Sequence, residues 1–250
     1  MRYFIRLSFD GTGFHGWQAQ RNAVSVQKIL ADAISMIVRE EVMLTGCGRT
    51  DTGVHAHEYF AHMDLSQELN KIQRDKLVFK LNIYLGDDIA IQAIFLVRQN
   101  AHARFSAVRR TYKYFITRVK NPFLRNYSHY IYGPIDIDQM NRGADLIMQF
   151  SDFTSFTKVD SDSKTRICHI NEAGWENDGD LLVFTISADR FLRNMVRAIV
   201  GTLLDLGAGK MSLRDLKLVI EAKNRSDAGE SVPAGGLFLE HIEYPGDIAC

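Results

Sequence analysis

The chain has 250 residues, of which 46% are apolar and 24% charged, a composition typical of a globular protein with a sizeable core. The 30 basic and 30 acidic residues cancel, so the total charge does not indicate nucleic acid, and an RNA site would need locally concentrated positive charge. No apolar run predicts a membrane span or signal peptide, and three cysteines without CxxC spacing argue against a disulfide scaffold or zinc ribbon and for a reducing, cytoplasmic compartment.

The first part of the chain alternates strand and helix patterns. Apolar side chains alternate from Arg2 to Asp10 and predict a strand, and Ser25 is placed to cap a helix with apolar positions through Ile37. A glycine-rich loop at 46–56 follows. Further along we predict a strand at 59–65, a helix at 68–81 and a strand at 89–97.

A short, polar and basic stretch from Arg98 to Arg110 divides the chain into two predicted halves, 1–103 and 104–250. In the second half we predict a strand at 111–119, a helix at 138–150, a hairpin at 167–187 turning at 177–180, a helix at 191–206 with Gly207 as its C-cap, a helix at 213–222 and a strand at 237–244. Each half combines strands with two helices in a similar order. The sequence therefore predicts an α+β protein with two related halves and a cleft between them.

The loop Gly46–Ala56 is the first candidate site. Three glycines accompany Arg49 and Asp51, and glycine permits tight turns and close approach of a ligand. This arrangement suggests a held, reactive carboxylate at Asp51. An aspartate in such a loop is also common as a turn residue or helix cap, and the residues alone leave both interpretations open.

Two further patterns are weaker candidates. Asp10–Gly13 resembles a phosphate-binding turn but lacks the P-loop spacing, so a structural turn is favoured. His55, His57 and His62 lie close to Glu58, yet the zinc deaminase pattern is absent. Polar loop and strand roles are therefore favoured over a metal site.

Tyr112 and Tyr114 follow a basic pair on a predicted strand, with Lys113 between them. Alternation places both tyrosines on one face. They could pack in the core, or they could form a base-stacking platform beside cations, as sites for single-stranded nucleic acid do. The pattern does not decide between the two.

The predicted helix at 191–206 has an arginine stripe, since Arg193 and Arg197 are spaced i, i+4. Such a stripe is most often a solvated face. Because Arg197 lies between Val196 and Ala198, it is a candidate for partial burial. A buried arginine needs a carboxylate partner, and Asp51 would be one.

Seven segments of the chain resemble the tRNA pseudouridine synthase A family. They occur in the family's order between residues 4 and 244, and they are Asp10–Gln20, Gly48–Ala56, His102–Ala107, Arg110–Tyr114, Asp152–Phe156, Phe191–Arg197 and Pro233–Leu237. Each is moderate evidence alone, and together they are highly specific.

The resemblance implies two ferredoxin-like α/β halves joined through a continuous antiparallel sheet with a central cleft. It implies a homodimer that binds tRNA across two subunits. The implied reaction converts uridine to pseudouridine in the anticodon arm, at positions 38, 39 and 40. Because the reaction involves neither redox change nor hydrolysis, no cofactor and no metal are implied.

The resemblance also implies roles for single residues. Asp51 matches the catalytic aspartate, Tyr112 the tyrosine that stacks on the target uracil, Arg49 the base-flipping arginine, and Arg197 the basic partner of the aspartate. The physical chemistry agrees, because a nearby cation keeps a carboxylate ionised and an extruded base needs an aromatic wall. The candidates for phosphate contacts are Arg104, Arg109, Arg110, Lys113, Arg190 and Arg193.

Two positions depart from the family pattern: Gly86 stands where proline is frequent, and Thr111 where a second basic residue is common. These departures leave the exact target uridines open. Alternatives are the same chemistry at shifted positions or on another RNA, and a tRNA-binding or folding factor without turnover. The presence of Asp51, Tyr112 and Arg197 argues against the last.

Overall fold

The structure is a computed structural model that describes residues 1–158 and 165–249. Those residues form an α+β fold with five α-helices and nine strands of one open, mixed sheet. The strands are β1 (Arg2–Phe9), β2 (Thr45–Gly46), β3 (His55–Asp64), β4 (Ile89–Leu96), β5 (Arg109–Thr117), β6 (His129–Tyr130), β7 (Ile170–Asp178), β8 (Leu181–Ala188) and β9 (Leu237–Glu243). The helices are α1 (Val26–Val38), α2 (Lys71–Tyr84), α3 (Ile137–Ile147), α4 (Met195–Gly207) and α5 (Leu213–Ala222). Across the described ranges no helix is long and apolar enough to cross a membrane.

Two compact units divide the chain. One contains Met1–Val108 together with the described part of Leu239–Cys250, and the other is Arg109–Phe238. The end of the chain thus packs with its beginning, and β9 contributes to both units. The domain boundary predicted at 103/104 stays a prediction.

The first unit follows a β-α-β-β-α-β order. β1 lies between β3 and β4, β2 pairs with β3, and all three pairs are antiparallel, which is the ferredoxin-like arrangement. Ser25 caps α1 by accepting from the Lys28 backbone N–H at 3.4 Å, so the predicted start of this helix is confirmed. The buried side chains of Tyr3, Phe4 and Tyr59 lie in this unit.

The second unit repeats the order with β5, α3, β7, β8, α4 and the start of β9. β8 pairs antiparallel with β5 and β7, and the predicted hairpin turns at Gly179, whose φ is +59°. The short β6 pairs parallel with β5, so the sheet is mixed rather than wholly antiparallel. A parallel neighbour needs a long connection, which residues 118–128 supply.

Helix α4 begins at Met195, four residues later than predicted, because Asn194 adopts the left-handed conformation at φ +66° and ends the preceding loop. Arg193 therefore precedes the helix, and the expected arginine stripe with Arg197 is wrong. Gly207 lies inside the helix rather than at its cap. A Cβ at Gly207 would approach Met140 Sδ to 2.5 Å, so this glycine permits close packing of α4 on α3.

Candidate active site

Asp51 lies in the connection between β2 and β3, where its side chain is half-buried and that of Arg49 is exposed. The backbone turns directly after it. Val54 N–H donates to the Asp51 carbonyl at 3.2 Å, and Gly53, at φ +78°, donates to the Phe14 carbonyl at 3.3 Å. The turn interpretation of Asp51 therefore holds for its backbone, and the chemical role of its carboxylate stays a prediction.

A second loop, residues 10–20, packs against the Asp51 loop at two glycines. Gly16 has φ +82°, and a Cβ there would lie 2.2 Å from the Thr50 carbonyl oxygen. A Cβ at Gly11 would lie 2.1 Å from the Val54 carbonyl oxygen. Trp17, which follows Gly16, donates its backbone N–H to Thr50 Oγ1 at 3.1 Å. Only glycine permits such backbone approach, so Gly11 and Gly16 let the loop 10–20 pack closely against the Asp51 loop.

The aromatic pair Trp17 and Tyr59 supports the Asp51 loop by packing and by a hydrogen bond. Their rings stack at 4.2 Å between centroids, both side chains are buried, and the Tyr59 hydroxyl donates to the Gly48 carbonyl. Gln27 links two neighbouring segments by hydrogen bonds: its Nε2 donates to the Leu44 carbonyl at 2.7 Å, and its Oε1 accepts from Ala19 N–H at 2.8 Å. Packing and hydrogen bonds around a reactive group hold it in one geometry.

The three histidines of β3 contact three different partners. His55 Nδ1 accepts from Gly11 N–H at 3.0 Å, His57 Nδ1 lies 2.8 Å from Glu240 Oε2, and His62 Nδ1 accepts from Ala103 N–H at 3.1 Å. Within residues 1–158 and 165–249, no cluster of three or more His, Cys, Asp or Glu residues could hold a metal ion.

Burial lowers the pKa of His62 to about 4, and the charges of Arg2 and His102 lower it further. His62 is therefore neutral near pH 7, in agreement with its acceptor role. The adjacent His102 accepts from Arg104 N–H at 3.1 Å, and the exposed Arg104 guanidinium lies 5.5 Å from the ring centroid of Phe105.

In the second unit Tyr112 lies on β5 opposite Ile186 of β8, and its side chain is half-buried. The Phe191 ring meets the Tyr112 ring edge to face, with centroids 5.1 Å apart and an interplanar angle of 87°. Tyr114 is wholly buried, and its hydroxyl donates to the Pro233 carbonyl at 2.9 Å. The two tyrosines therefore differ: Tyr114 belongs to the core, and Tyr112 keeps a partly accessible ring.

Of the predicted phosphate contacts in this unit, Arg110 is anchored, because its Nη1 donates to the Asp189 carbonyl at 2.9 Å. Lys113 is half-buried, whereas Arg193 is exposed and its carbonyl accepts from Lys158 N–H at 3.1 Å. These cations lie on different elements: β5 and the loop before α4.

Arg197 is half-buried in the first turns of α4. Its Nε donates to the Val232 carbonyl at 2.7 Å, and Val232 N–H donates back to the Arg197 carbonyl at 3.3 Å. Its charge opposes the rise that burial causes in the pKa of Tyr114. The loop Ser231–Gly236 thus supports Arg197, a contact that the sequence analysis did not predict although it named the segment Pro233–Leu237. The Gly-Gly pair of the loop was the available signal, since a Cβ at Gly236 would lie 2.8 Å from Tyr114 Cζ.

Comparison with known proteins finds relatives that match nearly the whole chain. A family model described as tRNA pseudouridine synthase matches residues 150–245. The tRNA pseudouridine synthase A of Bacteroides fragilis is 49% identical over 248 residues, covering 99% of this chain and 98% of that protein. The proteins of the same name from Porphyromonas gingivalis and Caldicellulosiruptor bescii are 48% and 39% identical, over 99% and 96% of this chain and 98% of each relative.

The chain belongs to the tRNA pseudouridine synthase A family. The resemblance predicted from the seven segments is thereby confirmed. Asp51, Arg49 and Arg104 lie in the first unit, and Tyr112, Arg110, Lys113, Arg193 and Arg197 in the second. Within each unit the residues that match the family's segments contact one another, as Gly16 does Thr50. The roles of the individual side chains, and the pairing of Asp51 with Arg197, stay predictions.

Proposed function

We propose that this protein isomerises uridine to pseudouridine in tRNA, within the anticodon arm at positions 38, 39 and 40, and that Asp51 is its catalytic carboxylate. The observation behind the proposal is full-length similarity to proteins named tRNA pseudouridine synthase A, up to 49% identity among those compared. The enzyme is an isomerase, because uridine and pseudouridine have the same atoms.

The reaction exchanges one bond to the ribose for another. The bond between C1′ and N1 of uracil breaks, the base turns, C1′ bonds to C5, and the proton of C5 is replaced by one on N1. A carboxylate suits this chemistry as a nucleophile or as the stabiliser of a cationic sugar. Asp51 is proposed for this role because its loop is rigidly held through Thr50 and its side chain remains partly accessible.

Other side chains have proposed roles around the substrate. Tyr112 would stack on the extruded uracil, supported at its edge by Phe191. Arg49 would assist base flipping, and Arg197 would keep the carboxylate of Asp51 ionised. Arg104, Arg110, Lys113 and Arg193 would contact phosphates. We also propose that the protein acts as a homodimer in the cytoplasm, where tRNA is found.

The decisive experiment replaces one carboxylate oxygen. Asp51→Asn should bind tRNA with nearly unchanged affinity and form no pseudouridine, because an amide can neither attack a sugar nor stabilise its cation. The readouts are pseudouridine mapping of the transcript and equilibrium tRNA binding. Asp75→Asn, at an exposed position of α2, is the matched control and should retain full activity.

Substantial pseudouridine in the Asp51→Asn product would contradict the role of Asp51 without touching the family assignment. No pseudouridine from the wild-type protein at any position of any tRNA, with binding intact, would instead favour a tRNA-binding factor. Mapping total tRNA from cells with and without the protein identifies the target uridines.

A further inference from the structure

The positive charge of this neutral chain is concentrated in one segment. Residues 89–135 contain no aspartate or glutamate, so all 30 acidic residues lie outside them. The lysines and arginines of this segment are Arg98, Arg104, Arg109, Arg110, Lys113, Arg118, Lys120 and Arg125. Four of these eight are already candidates for phosphate contacts: Arg104, Arg109, Arg110 and Lys113. Arg98 forms an ion pair with Asp247 at 2.7 Å. Arg118, Lys120 and Arg125 lie beyond the end of β5 and have no role so far.

Those three cations share a loop with exposed aromatic rings. We name residues 118–132, which follow β5 and contain β6, the aromatic loop. The side chains of Phe123 and Tyr132 are 86% and 92% exposed, and Tyr127 and Tyr130 are exposed as well. Lys120 and Arg125 are also exposed.

Hydrogen bonds hold the backbone of the aromatic loop that carries these exposed rings. Phe123 N–H donates to Asn121 Oδ1 at 2.9 Å, and the Leu124 carbonyl accepts from the N–H groups of Tyr127 and Ser128 at 3.0 and 2.9 Å. Pairing of β6 with β5 closes the loop, and Arg118 Nη2 donates to the Gly133 carbonyl at 2.6 Å. A hydrogen-bonded turn therefore holds the Phe123 ring outward.

We propose that the aromatic loop is a second RNA contact, which stacks unpaired nucleotides on Phe123 and Tyr132 and holds their phosphates with Lys120 and Arg125. Rings interleaved with cations are the arrangement that binds single-stranded nucleic acid, because every base has a face to stack and every linkage a negative charge. The absence of acidic residues from the segment favours a polyanion over a protein partner of mixed charge. The inference rests on the proposed function for the source of the RNA, a tRNA contacted away from its target uridine.

The first test reports stacking directly. Phe123→Trp adds an exposed indole to a protein whose two native tryptophans, Trp17 and Trp175, are buried. A single-stranded oligouridylate should quench the added fluorescence, and an RNA duplex of equal length should quench it much less. Absence of quenching, or equal quenching by the duplex, would overturn the proposal.

The second test separates base stacking from phosphate contacts by measuring the affinity for unmodified tRNA. Phe123→Ala should weaken binding about 5- to 100-fold with little change in salt dependence. Lys120→Gln combined with Arg125→Gln should weaken binding and lower the slope of log K against log salt by about 1.5 to 2. Lys80→Gln with Arg142→Gln removes the same charge from exposed positions of α2 and α3 and should leave affinity within about twofold.

Two results would contradict the second RNA contact. One is wild-type affinity and salt slope in both loop variants; the other is an equal loss in the control pair. Unchanged RNA affinity with an altered sedimentation coefficient in Phe123→Ala would assign the loop to a protein partner instead. Since binding is measured without turnover, a failure of the proposed catalysis, as seen by pseudouridine mapping, remains a separate outcome.

Discussion

Arg197 and Val232 bind each other through two reciprocal hydrogen bonds: Arg197 Nε donates to the Val232 carbonyl at 2.7 Å, and Val232 N–H donates to the Arg197 carbonyl at 3.3 Å. This pair fixes the guanidinium through one of its edges. A guanidinium has five N–H donors in a rigid fork, so a bond at Nε fixes the orientation of the whole planar group. A lysine carries the same charge but lacks this planar arrangement of N–H donors.

We therefore expect Arg197→Lys to lower the single-turnover rate of pseudouridine formation by roughly ten- to a hundredfold, because the ammonium cannot bind Val232 and face a carboxylate in the same way. Loss of the bond to the Val232 carbonyl should also cost about 1–3 kcal/mol of the free energy of unfolding, measured in urea. Arg142→Lys, on the exposed face of α3, is the control. A wild-type rate in Arg197→Lys would show that charge alone suffices.

Tyr112 allows stacking to be separated from hydroxyl chemistry. If stacking dominates, Tyr112→Phe should retain most activity, whereas Tyr112→Ala should lose about 1–3 kcal/mol of binding to the extruded base. The same hydroxyl deletion at the buried Tyr114 should lower stability by about 1 kcal/mol, because that hydroxyl donates to the Pro233 carbonyl. Near-total and equal losses in both Tyr112 variants would instead support proton transfer by the hydroxyl.

Gly16 should tolerate no side chain. Gly16→Ala places a Cβ 2.2 Å from the Thr50 carbonyl oxygen at a φ of +82°, so we expect a loss of about 2–4 kcal/mol in the free energy of unfolding and a displaced Asp51 loop. Gly13→Ala, in the same loop but with no atom within 4 Å, should fold and act like the wild type. The measurements are urea unfolding and single-turnover rate, and equal behaviour of the two variants would show that the loop contact is dispensable.

His62 should make stability depend on pH. Its pKa is lowered to about 4 in the folded protein from an unfolded value near 6.5, mainly by burial and also by the charges of Arg2 and His102, with Asp64 opposing. Below pH 6.5 the unfolded chain binds the extra proton more readily, so stability falls as the pH drops from 6.5 towards 4. Above pH 6.5 this residue contributes no pH dependence.

His62→Gln removes the titration and keeps an acceptor for Ala103 N–H. Between pH 7.5 and 4.5 the wild type should lose about 2 kcal/mol more of its free energy of unfolding than this variant. Urea unfolding at four pH values measures the difference, in which the titration of the other groups cancels. Parallel pH profiles of the two proteins would contradict the burial of a neutral His62.

Local patterns in the sequence predicted much of the fold. The cap at Ser25, the hairpin turning at Gly179 and helix α5 are confirmed, because each depends on residues within one turn or one strand pair. The start of α4 was wrong, since nothing in the periodicity shows that Asn194 adopts a left-handed conformation. Gly207 likewise looks like a cap in the sequence and is a packing residue against Met140.

The sequence by itself determined the family, because the segments around Asp51, Tyr112 and Arg197 are short and their residue types are specific; the chemical roles of those three residues stay predictions. Only the tertiary structure decided what holds those residues. Gly16 lies far from Thr50 along the chain, and Arg197 is 35 residues from Val232. Such contacts depend on how helices and strands pack, and packing follows from the shapes of many side chains at once rather than from any local period.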